Sequence, residues 1–191
     1  MDYFIHPTAV VEKDVKIGKG SRIWHFAHVR EGVEIGENCT IGKDVFLDSG
    51  VKIGNKVKIQ NGVSVYKGVE VNDEVFIGPY ATFTNDMYPR ASDTEWEVIP
   101  TVLGKGASIG ANATILCGVR LGNYAMIAAG SVLTTNAVPY GLYVGNPARL
   151  KNMVSPDGCE MKLVEFLPDI LRYRCKRTKR ILEITFTIKD E

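Results

Sequence analysis

The sequence has few of the residues that mark a metal site, a disulfide framework or a membrane span. Its four cysteines lie far apart and form no CxxC pair, which argues against structural zinc and against a disulfide scaffold. No segment approaches the roughly 18 consecutive apolar residues of a membrane helix. The first seven residues lack the basic and apolar parts of a secretory signal. These absences predict a soluble, cytoplasmic protein with reduced thiols.

Neither positive nor negative charge is in excess. The 23 Lys and Arg residues balance 22 Asp and Glu residues, for a net charge of +1. This balance argues against a general basic surface for nucleic acid. With 191 residues, of which 45% are apolar, one globular domain with a small appendage is expected. The residue in excess is glycine, with 19 copies.

The glycines accompany apolar residues that recur every six positions. Stepping by six residues from Val11 to Phe83 meets an apolar residue every time, and the position four residues after each of these anchors is small or β-branched. The same pattern resumes from Leu103 and stops after Ala137. The separation of Phe83 and Leu103 is not a multiple of six. The sequence therefore predicts a loop over 84–102 that interrupts the array.

A helix cannot keep this period on one face, because it repeats every 3.6 residues. The β-branched anchors and repeated glycines also disfavour helix. Hexads suit short strands joined by tight corners, where Gly or Asn supplies a positive φ. Stacked coils would then lie about 4.8 Å apart, with the anchors inside. The sequence predicts an all-β solenoid.

The run of [LIV]-G-x-x-x-x hexads resembles the left-handed parallel β-helix of hexapeptide-repeat acyltransferases. The resemblance covers about residues 5–150 and implies three hexads in each triangular coil. Residues 11–82 then make four coils and residues 103–138 two more, about six to seven in all. We expect a β-helix over 1–138 with the inserted loop 84–102, followed by a small α+β appendage over 139–191.

A spacing of three hexads also shows which edge of the prism carries chemistry. Of the three columns that directly follow the anchors, one has no glycine and reads Arg30, Asp48, Tyr66 and Thr84. This column leads into the inserted loop at Asn85. We therefore expect Arg30, Tyr66 and Thr84 to contact substrate. The alternative for Arg30 and Asp48 is a solvated ion pair between adjacent coils, which would contribute little stability.

Local strings make the resemblance more specific. They occupy residues 22–28, 58–66, 83–90, 106–112 and 144–149. Together they are similar to acetyltransferases that use acetyl-CoA to N-acetylate the 3-amino group of nucleotide-linked sugars. The resemblance favours those acting on UDP-2-acetamido-3-amino-2,3-dideoxy-glucuronate, in surface polysaccharide synthesis. Those enzymes commonly carry Thr-Asn-Val-Tyr-Asn-Pro-Arg, but this chain has Thr-Asn-Asp-Met-Tyr-Pro-Arg over 84–90. The Asn-Asp form also resembles acetyltransferases for dTDP-3-amino-3,6-dideoxyhexoses.

No histidine lies near the loop to serve as a general base. His6, His25 and His28 all lie at the N-terminal end, about three coils or roughly 14 Å from Asn85. That distance is beyond hydrogen-bond reach unless a neighbouring subunit is offset. The hypothesis is that Asn85 positions the amine, backbone N–H groups polarise the thioester carbonyl, and the proton leaves with the thiolate.

Candidate substrate residues lie on several of these strings. His25 and His28 are expected at the nucleotide end, with a structural role for one of them left open. Arg90 has the bidentate fork that suits a carboxylate or phosphate, or it only orders the loop. Gln60 and Asn61 either contact the sugar or form a ladder that caps a corner.

The resemblance also implies where acetyl-CoA lies. Its pantetheine arm would run between two subunits along the late coils, near Ala111, Ala129, Gly130 and Ser131. Arg149 and Lys151, after the last coil, would meet its phosphates. Sites shared between subunits imply a homotrimer.

The C-terminal segment gives a separate set of predictions. Residues 161–167 are predicted to form a short helix that ends at Pro168. Alternation of Ile184, Phe186 and Ile188 predicts a strand over 180–189. The basic cluster over 172–180 would bind coenzyme phosphates or nucleic acid, or form a solvated face, which the balanced total charge favours.

Two rival classes share the solenoid. A γ-class carbonic anhydrase needs three zinc-binding histidines from adjacent coils, whereas no histidine follows His28, so no metal is expected. A non-catalytic binding solenoid would not need a polar loop that breaks its core. Neither nucleic acid nor a membrane is expected as a partner.

Overall fold

The chain folds into a parallel β-helix followed by antiparallel strands. The structure is a computed structural model, and it describes residues 2–92, 97–167 and 170–185. Its secondary structure in these ranges consists of strands, so the all-β, left-handed β-helix prediction is confirmed. No helix in the described ranges is long and apolar enough to cross a membrane.

Three parallel sheets form the faces of the prism. Sheet A contains β1 (Phe4–Ile5), β4 (Arg22–Ile23), β7 (Thr40–Ile41), β10 (Lys58–Ile59), β13 (Phe76–Ile77), β16 (Ser108–Ile109), β19 (Met126–Ile127) and β21 (Gly141–Gly145). Sheet B contains β2 (Val10–Val11), β5 (His28–Val29), β8 (Phe46–Leu47), β11 (Ser64–Val65), β14 (Thr82–Phe83), β17 (Thr114–Ile115) and β20 (Val132–Leu133). Sheet C contains β3 (Lys16–Ile17), β6 (Glu34–Ile35), β9 (Lys52–Ile53), β12 (Val69–Val71), β15 (Thr101–Leu103) and β18 (Arg120–Leu121).

Each coil passes through sheets A, B and C in turn, and the turns between them are here named the A–B, B–C and C–A corners. Many corners turn through a residue with positive φ. Glycine and asparagine were predicted there, but Asp14, Phe26, Lys56 and Tyr80 also adopt this conformation. A left-handed residue other than glycine costs about 1–2 kcal/mol, so the stacked coils must offset that cost.

The anchors of the repeat fill the interior as predicted. Every anchor from Ile23 to Leu133 is at most 4% exposed. Anchors of the first coil, Ile5, Val11 and Ile17, are only partly buried and pack against the core from its open end. The apolar interior is therefore one continuous column along the prism.

The inserted loop leaves sheet B after Phe83 and returns at Thr101, where β15 begins. It therefore ends at residue 100, two residues earlier than predicted. Residues 93–96 of the loop lie outside the described residues. The loop replaces the B–C corner of the fifth coil.

The returning end of the loop packs between two glycine corners. A Cβ on Gly68 would collide with Cγ1 of Val98, and a Cβ on Gly118 would lie 3.0 Å from Cγ2 of Ile99. Both glycines have positive φ, +93° and +82°. The coils on either side of the insertion therefore hold the loop by its Val98 and Ile99 side chains.

The prism continues beyond the predicted boundary at 138. β21 pairs in parallel with β19, with Ile127 opposite Tyr143. The stack thus has about eight turns rather than six to seven. An antiparallel hairpin of β21 with β22 (Ala148–Met153) then ends sheet A.

The predicted helix over 161–167 is wrong. The segment forms β23 (Met161–Phe166), which joins β24 (Ile170–Cys175) and β25 (Ile181–Thr185) in an antiparallel sheet. Arg172 of the central strand binds Glu165 at 2.6 Å and Glu183 at 2.7 Å, one on each neighbouring strand. This pairing across strands outweighs helix propensity.

Part of the predicted C-terminal strand is present as β25, which includes Ile184. Pro168, Phe186 and Ile188 lie outside the described residues. In the part of the chain that the structure describes, two members of the basic cluster are ion-paired, Arg172 as described above and Lys176, which binds Glu160 at 2.8 Å. These pairs leave less free positive charge than the sequence suggested.

Candidate functional site

The first residues of the glycine-free column form a network of charged groups at the B–C corners. Arg30 Nη1 donates a hydrogen bond to Asp48 Oδ1 at 2.9 Å. Glu12 Oε1 lies 2.7 Å from Nε2 of His28, and Glu12 Oε2 lies 4.0 Å from Nε of Arg30. Sequence reasoning missed Glu12, although it lies one coil before Arg30 in the same column. Extending the column by one coil would have found it.

Asp48 also binds the backbone of two corners. Its Oδ1 accepts from the Ser49 N–H at 2.8 Å, and its Oδ2 accepts from the Lys67 N–H at 3.1 Å. Burial tends to raise the pKa of Asp48, but these hydrogen bonds and Arg30 outweigh it and bring the pKa below its ordinary value. Arg30 and Asp48 therefore form an ion pair between adjacent coils, but it is not a fully solvated one, because the Asp48 side chain is only 16% exposed.

Tyr66 and Thr84 continue the column toward the loop. Tyr66 is half-buried, with its ring centroid 6.2 Å from that of Phe46. The Thr84 N–H donates to the Ile115 carbonyl at 3.1 Å, and Thr84 Oγ1 accepts from the Cys117 N–H at 2.9 Å. Thr84 thus fastens the start of the loop to the sixth coil.

Asn85 is half-buried at the base of the loop. Its carbonyl accepts a hydrogen bond from the Ile99 N–H at 3.5 Å, which joins the two ends of the insertion. Arg90 is exposed and donates to the Pro89 carbonyl at 2.8 Å. The structure therefore fixes the backbone of Asn85, while Arg90 lies at the surface.

A groove follows the A–B corner at the other edge of sheet B. It holds a cavity of about 310 Å³ lined by Trp24, His25, Thr40, Gly42, Lys43, Ile59, Gln60 and Asn61. The cavity brings together three of the predicted substrate residues, His25, Gln60 and Asn61. His28, predicted for the same end of the substrate, lies instead on sheet B beside Glu12.

Asn61 has a clear structural contact in this groove. Its Oδ1 accepts a hydrogen bond from the Lys43 N–H at 3.0 Å, as Asn123 does from the Lys105 N–H. Asn61 therefore caps a corner, which was one of the two interpretations of its position. The contact uses only the amide oxygen and leaves the amide nitrogen of Asn61 for a ligand.

Two histidines stack at the N-terminal end of the groove. The ring centroids of His6 and His25 are 3.5 Å apart, and His6 Nδ1 accepts from the Thr8 N–H at 3.2 Å. Desolvation and, secondarily, the charge of His25 lower the pKa of His6. Sequence reasoning did not place these rings together, although residues 6 and 25 lie on adjacent coils.

The residues predicted to meet the coenzyme lie on the late coils. Ala111, Ala129 and Gly130 follow the A–B corner, where the Gly130 N–H donates to the Ala111 carbonyl at 2.8 Å. A Cβ on Gly78 would lie 2.6 Å from the Ala111 nitrogen. Small residues therefore make a smooth strip along this part of the corner.

Of the other coenzyme candidates, Ser131 directly follows Gly130 in the same corner, whereas Arg149 and Lys151 lie on β22. Ser131 is buried, and its Oγ accepts from the Gly145 N–H at 3.0 Å. Arg149 and Lys151 are exposed on β22, and Arg149 Nη1 donates to the Ala148 carbonyl at 3.1 Å. Of these candidates, the two basic residues present charged groups to solvent.

The candidate residues lie on opposite edges of sheet B within one chain. Asn85 lies at the B–C corner of the fifth coil, while Pro79 lies at the A–B corner of the same coil. Six residues of chain separate these positions, so they lie at most about 20 Å apart. Among the described residues, no group of three His, Cys, Asp or Glu side chains could hold a metal ion.

The six-residue repeat, the stacked three-strand coils and the buried anchors together define the class of protein, which is a hexapeptide-repeat β-helix. The sequence profile described as "Bacterial transferase hexapeptide (six repeats)" matches residues 14–49, 50–85 and 100–135. A second, "Hexapeptide repeat of succinyl-transferase", matches residues 32–67. The chain belongs to the bacterial transferase hexapeptide family, which confirms the resemblance.

Individual proteins show further similarity. The dTDP-3-amino-3,6-dideoxy-α-D-galactopyranose 3-N-acetyltransferase of Aneurinibacillus thermoaerophilus is 46% identical over 162 residues, which cover 85% of this chain and 84% of that protein. A hexapeptide-repeat acetyltransferase from Vibrio cholerae, solved with acetyl-CoA, has a TM-score of 0.57 and 26% identity over 65% of this chain and 72% of its own.

A more distant neighbour shares the fold. A point variant of GDP-perosamine N-acetyltransferase from Caulobacter crescentus, solved with CoA and GDP-perosamine, has a TM-score of 0.51 and 23% identity. The similarity covers 78% of this chain but only 55% of that one, so the chain spans about half of its length.

Proposed function

We propose that the protein transfers the acetyl group of acetyl-CoA to the 3-amino group of a nucleotide-linked amino sugar. The observation that carries this proposal is the 46% identity to a 3-N-acetyltransferase over 85% of the chain. In the reaction the amine nitrogen attacks the thioester carbonyl, a C–N bond forms, and the C–S bond breaks to release the thiol. The product would feed surface polysaccharide synthesis in the cytoplasm.

The sugar is a dTDP-linked 3-amino-3,6-dideoxyhexose in this proposal. The relative at 46% identity is named for such a substrate. Asp86 directly follows Asn85, and a uronate carboxylate close to Asp86 would meet a like charge, which disfavours binding. A 6-deoxy sugar has no such carboxylate. The UDP-glucuronate derivative becomes the second candidate.

Asn85 positions the amine and the reaction uses no histidine base. The side-chain amide oxygen of Asn85 can accept a hydrogen bond from the amine, which orients the nitrogen lone pair for attack. His25 lies three coils away, about 14 Å along the prism, so it cannot reach that proton within the same chain. Backbone N–H groups beside Ala111 and Gly130 would polarise the carbonyl, and the proton would leave with the thiol.

The active site lies between two subunits of a homotrimer in this proposal. Rotation about an axis parallel to the prism keeps every coil at its height. The fifth-coil loop with Asn85 would then face the fifth-coil A–B corner of a neighbour. This arrangement would unite the loop with the strip at Ala111 and Ala129, which one chain keeps at opposite edges of sheet B.

Release of free thiol from acetyl-CoA tests the proposal directly. We expect turnover with dTDP-3-amino-3,6-dideoxyhexoses at a kcat/KM about 100-fold above that with UDP-2-acetamido-3-amino-2,3-dideoxy-glucuronate. The reverse preference would overturn the choice of sugar and keep the reaction. Turnover with neither substrate class would overturn the function.

A further inference from the structure

We propose that the slot between Trp24 and Gln60 at the A–B corner is a stacking site for the pyrimidine base of the nucleotide sugar. This inference rests on the proposed function and deepens it, because it assigns the part of the site that recognises the nucleotide. It gives Trp24, which had no predicted role, a contact with the substrate.

The floor of the slot is made of two nearly parallel rings. The planes of Trp24 and His25 differ by 4°, with ring centroids 6.2 Å apart. His6, one coil nearer the N-terminus, covers one face of His25 at 3.5 Å. Since His6 stacks on His25 from the first coil, the opposite face of the layer is directed toward the third coil.

The next position in the column leaves that face open. Gly42 follows Trp24 by one coil and has no side chain, and Gln60 follows one coil later. Trp24 and Gln60 are therefore two coil spacings apart, about 10 Å, which leaves room for one planar ring between them. Both residues line the cavity of about 310 Å³.

Packing against the first coil explains one face of the aromatic layer, where the Phe4 ring centroid lies 5.5 Å from that of Trp24, but not the face directed toward the third coil. Glycine at 42 is required by the fold, since a Cβ there would lie 2.8 Å from Asn61 Oδ1. The rings themselves are not required: the later residues of the Trp24 column are small, at Gly78, Gly110 and Ala128. Trp24 and His25 are both partly exposed rather than core residues. An open aromatic face in this groove therefore points to a planar ligand.

The polar groups around the slot suit a pyrimidine. Gln60 would cover the second face of the base, while the side-chain amide nitrogen of Asn61, which lines the same cavity, can donate to a C=O group of thymine or uracil. Base-on-aromatic stacking contributes about 1–3 kcal/mol per base. Lys43 is exposed at the mouth of the slot, where its ammonium group pairs with Asp44 and lies 5.7 Å from the centroid of the Phe26 ring.

The position along the prism also fits a nucleotide sugar. The slot is centred on the third coil, and the Asn85 that the proposed trimer brings to this corner from a neighbouring subunit belongs to the fifth, so they differ by about 10 Å in height. A diphosphate and hexose would extend from the slot toward the C-terminal end. The base and the reacting amine would then lie at opposite ends of one substrate.

Binding of dTDP alone tests the slot. The chain has two tryptophans, Trp24 and Trp96, so Trp96→Phe leaves Trp24 as the sole reporter. We expect dTDP to quench its fluorescence saturably. Trp24→Leu should raise the calorimetric Kd for dTDP and the KM for the sugar nucleotide by about 10-fold, with kcat within about twofold. Trp24→Phe should restore most of the affinity.

Phe76→Leu is the matched control, because Phe76 is an exposed aromatic residue of sheet A three coils further on. It should leave the Kd unchanged. If Trp24→Leu leaves the Kd within about twofold while acetyl transfer proceeds, the slot is wrong and the proposed function stands. If dTDP quenches Trp24 but no amino sugar is acetylated, the slot is supported and the proposed function fails. Failure of the wild-type protein to bind dTDP overturns the slot.

Discussion

Tyr124 covers Gly106 of the preceding coil. Gly106 has a φ of +67°, and a Cβ there would collide with Cε1 of Tyr124. Tyr124 in turn stacks on Tyr140, with centroids 5.4 Å apart and planes 10° apart, so its ring cannot turn aside without losing that contact. Glycine is therefore required at this corner for both conformational and steric reasons.

Gly106→Ala should lower the free energy of unfolding by about 3 kcal/mol, of which about 1–2 kcal/mol is the cost of the left-handed backbone. Gly32→Ala is the matched control, because Gly32 has a φ of +68° and open space around it. It should cost only the conformational part. Urea unfolding of both variants measures the difference, and equal losses would show that Tyr124 gives way freely.

Asp48→Asn should lower the free energy of unfolding by about 2 kcal/mol at pH 7, because Asp48 accepts charge-assisted hydrogen bonds from Arg30 and two backbone groups. The folded pKa of Asp48 lies below its ordinary value of 3.8. Its stabilisation is therefore full above the unfolded pKa and is lost as pH falls through the folded pKa.

Unfolding curves at pH 7, 5 and 3 should thus show a difference between Asp48→Asn and wild type that narrows below about pH 4. Asp157→Asn, at an exposed position, is the control and should change stability little. A difference that stays constant down to pH 3 would contradict the charge-based account.

Asn85→Ala should reduce kcat/KM by about 100-fold, because the amine would lose the group that orients it. Met87→Ala, an exposed change two residues along the same loop, should leave kcat/KM close to wild type. Steady-state thiol release measures both, with thermal melts to check folding. An Asn85→Ala enzyme within about twofold of wild type would remove Asn85 from the site.

Mixing two inactive variants tests the shared site. One carries Asn85→Ala in the loop, and the other carries Ala129→Trp, which would block the strip on the late coils. Random reassembly of trimers should restore about a quarter of the wild-type activity, since that fraction of sites combines two intact halves. Sedimentation should show trimers throughout. No recovery from well-mixed trimers would place each site within one chain.

Much of the fold could be predicted because the repeat reports burial directly. Ile59 and Leu103 each recur at hexad spacing and are completely buried, so the interior follows from the sequence. The strand at residues 161–166, β23, could not be predicted in this way. The sheet that it joins is held by Arg172, which binds carboxylates on both neighbouring strands, a contact between segments that local propensity does not encode.

The candidate site was less predictable than the core. Stepping along a column by one coil identified Arg30 and Asp48 as neighbours. It did not reveal that Asp48 also accepts hydrogen bonds from backbone N–H groups of its own chain. The stacking of His6 on His25 joins two different columns, so no single column reveals it. Side-chain contacts at corners depend on where each ring turns, which the repeat leaves undetermined.

The strand register of the parallel sheets also shows how small the entropic cost of the inserted loop is. Ile23 pairs with Ile41, the equivalent anchor three hexads later, whereas Ile77 pairs with Ile109 across the insertion, over nearly twice that length of chain. Chain-closure entropy grows only with the logarithm of length, so this larger separation costs about 0.5 kcal/mol more. Between its packed ends at Asn85 and Val98 the loop can therefore lengthen or shorten at little entropic cost to the coils. If the loop contacts substrate as proposed, substrate choice can diversify at this corner while the scaffold that carries it stays the same.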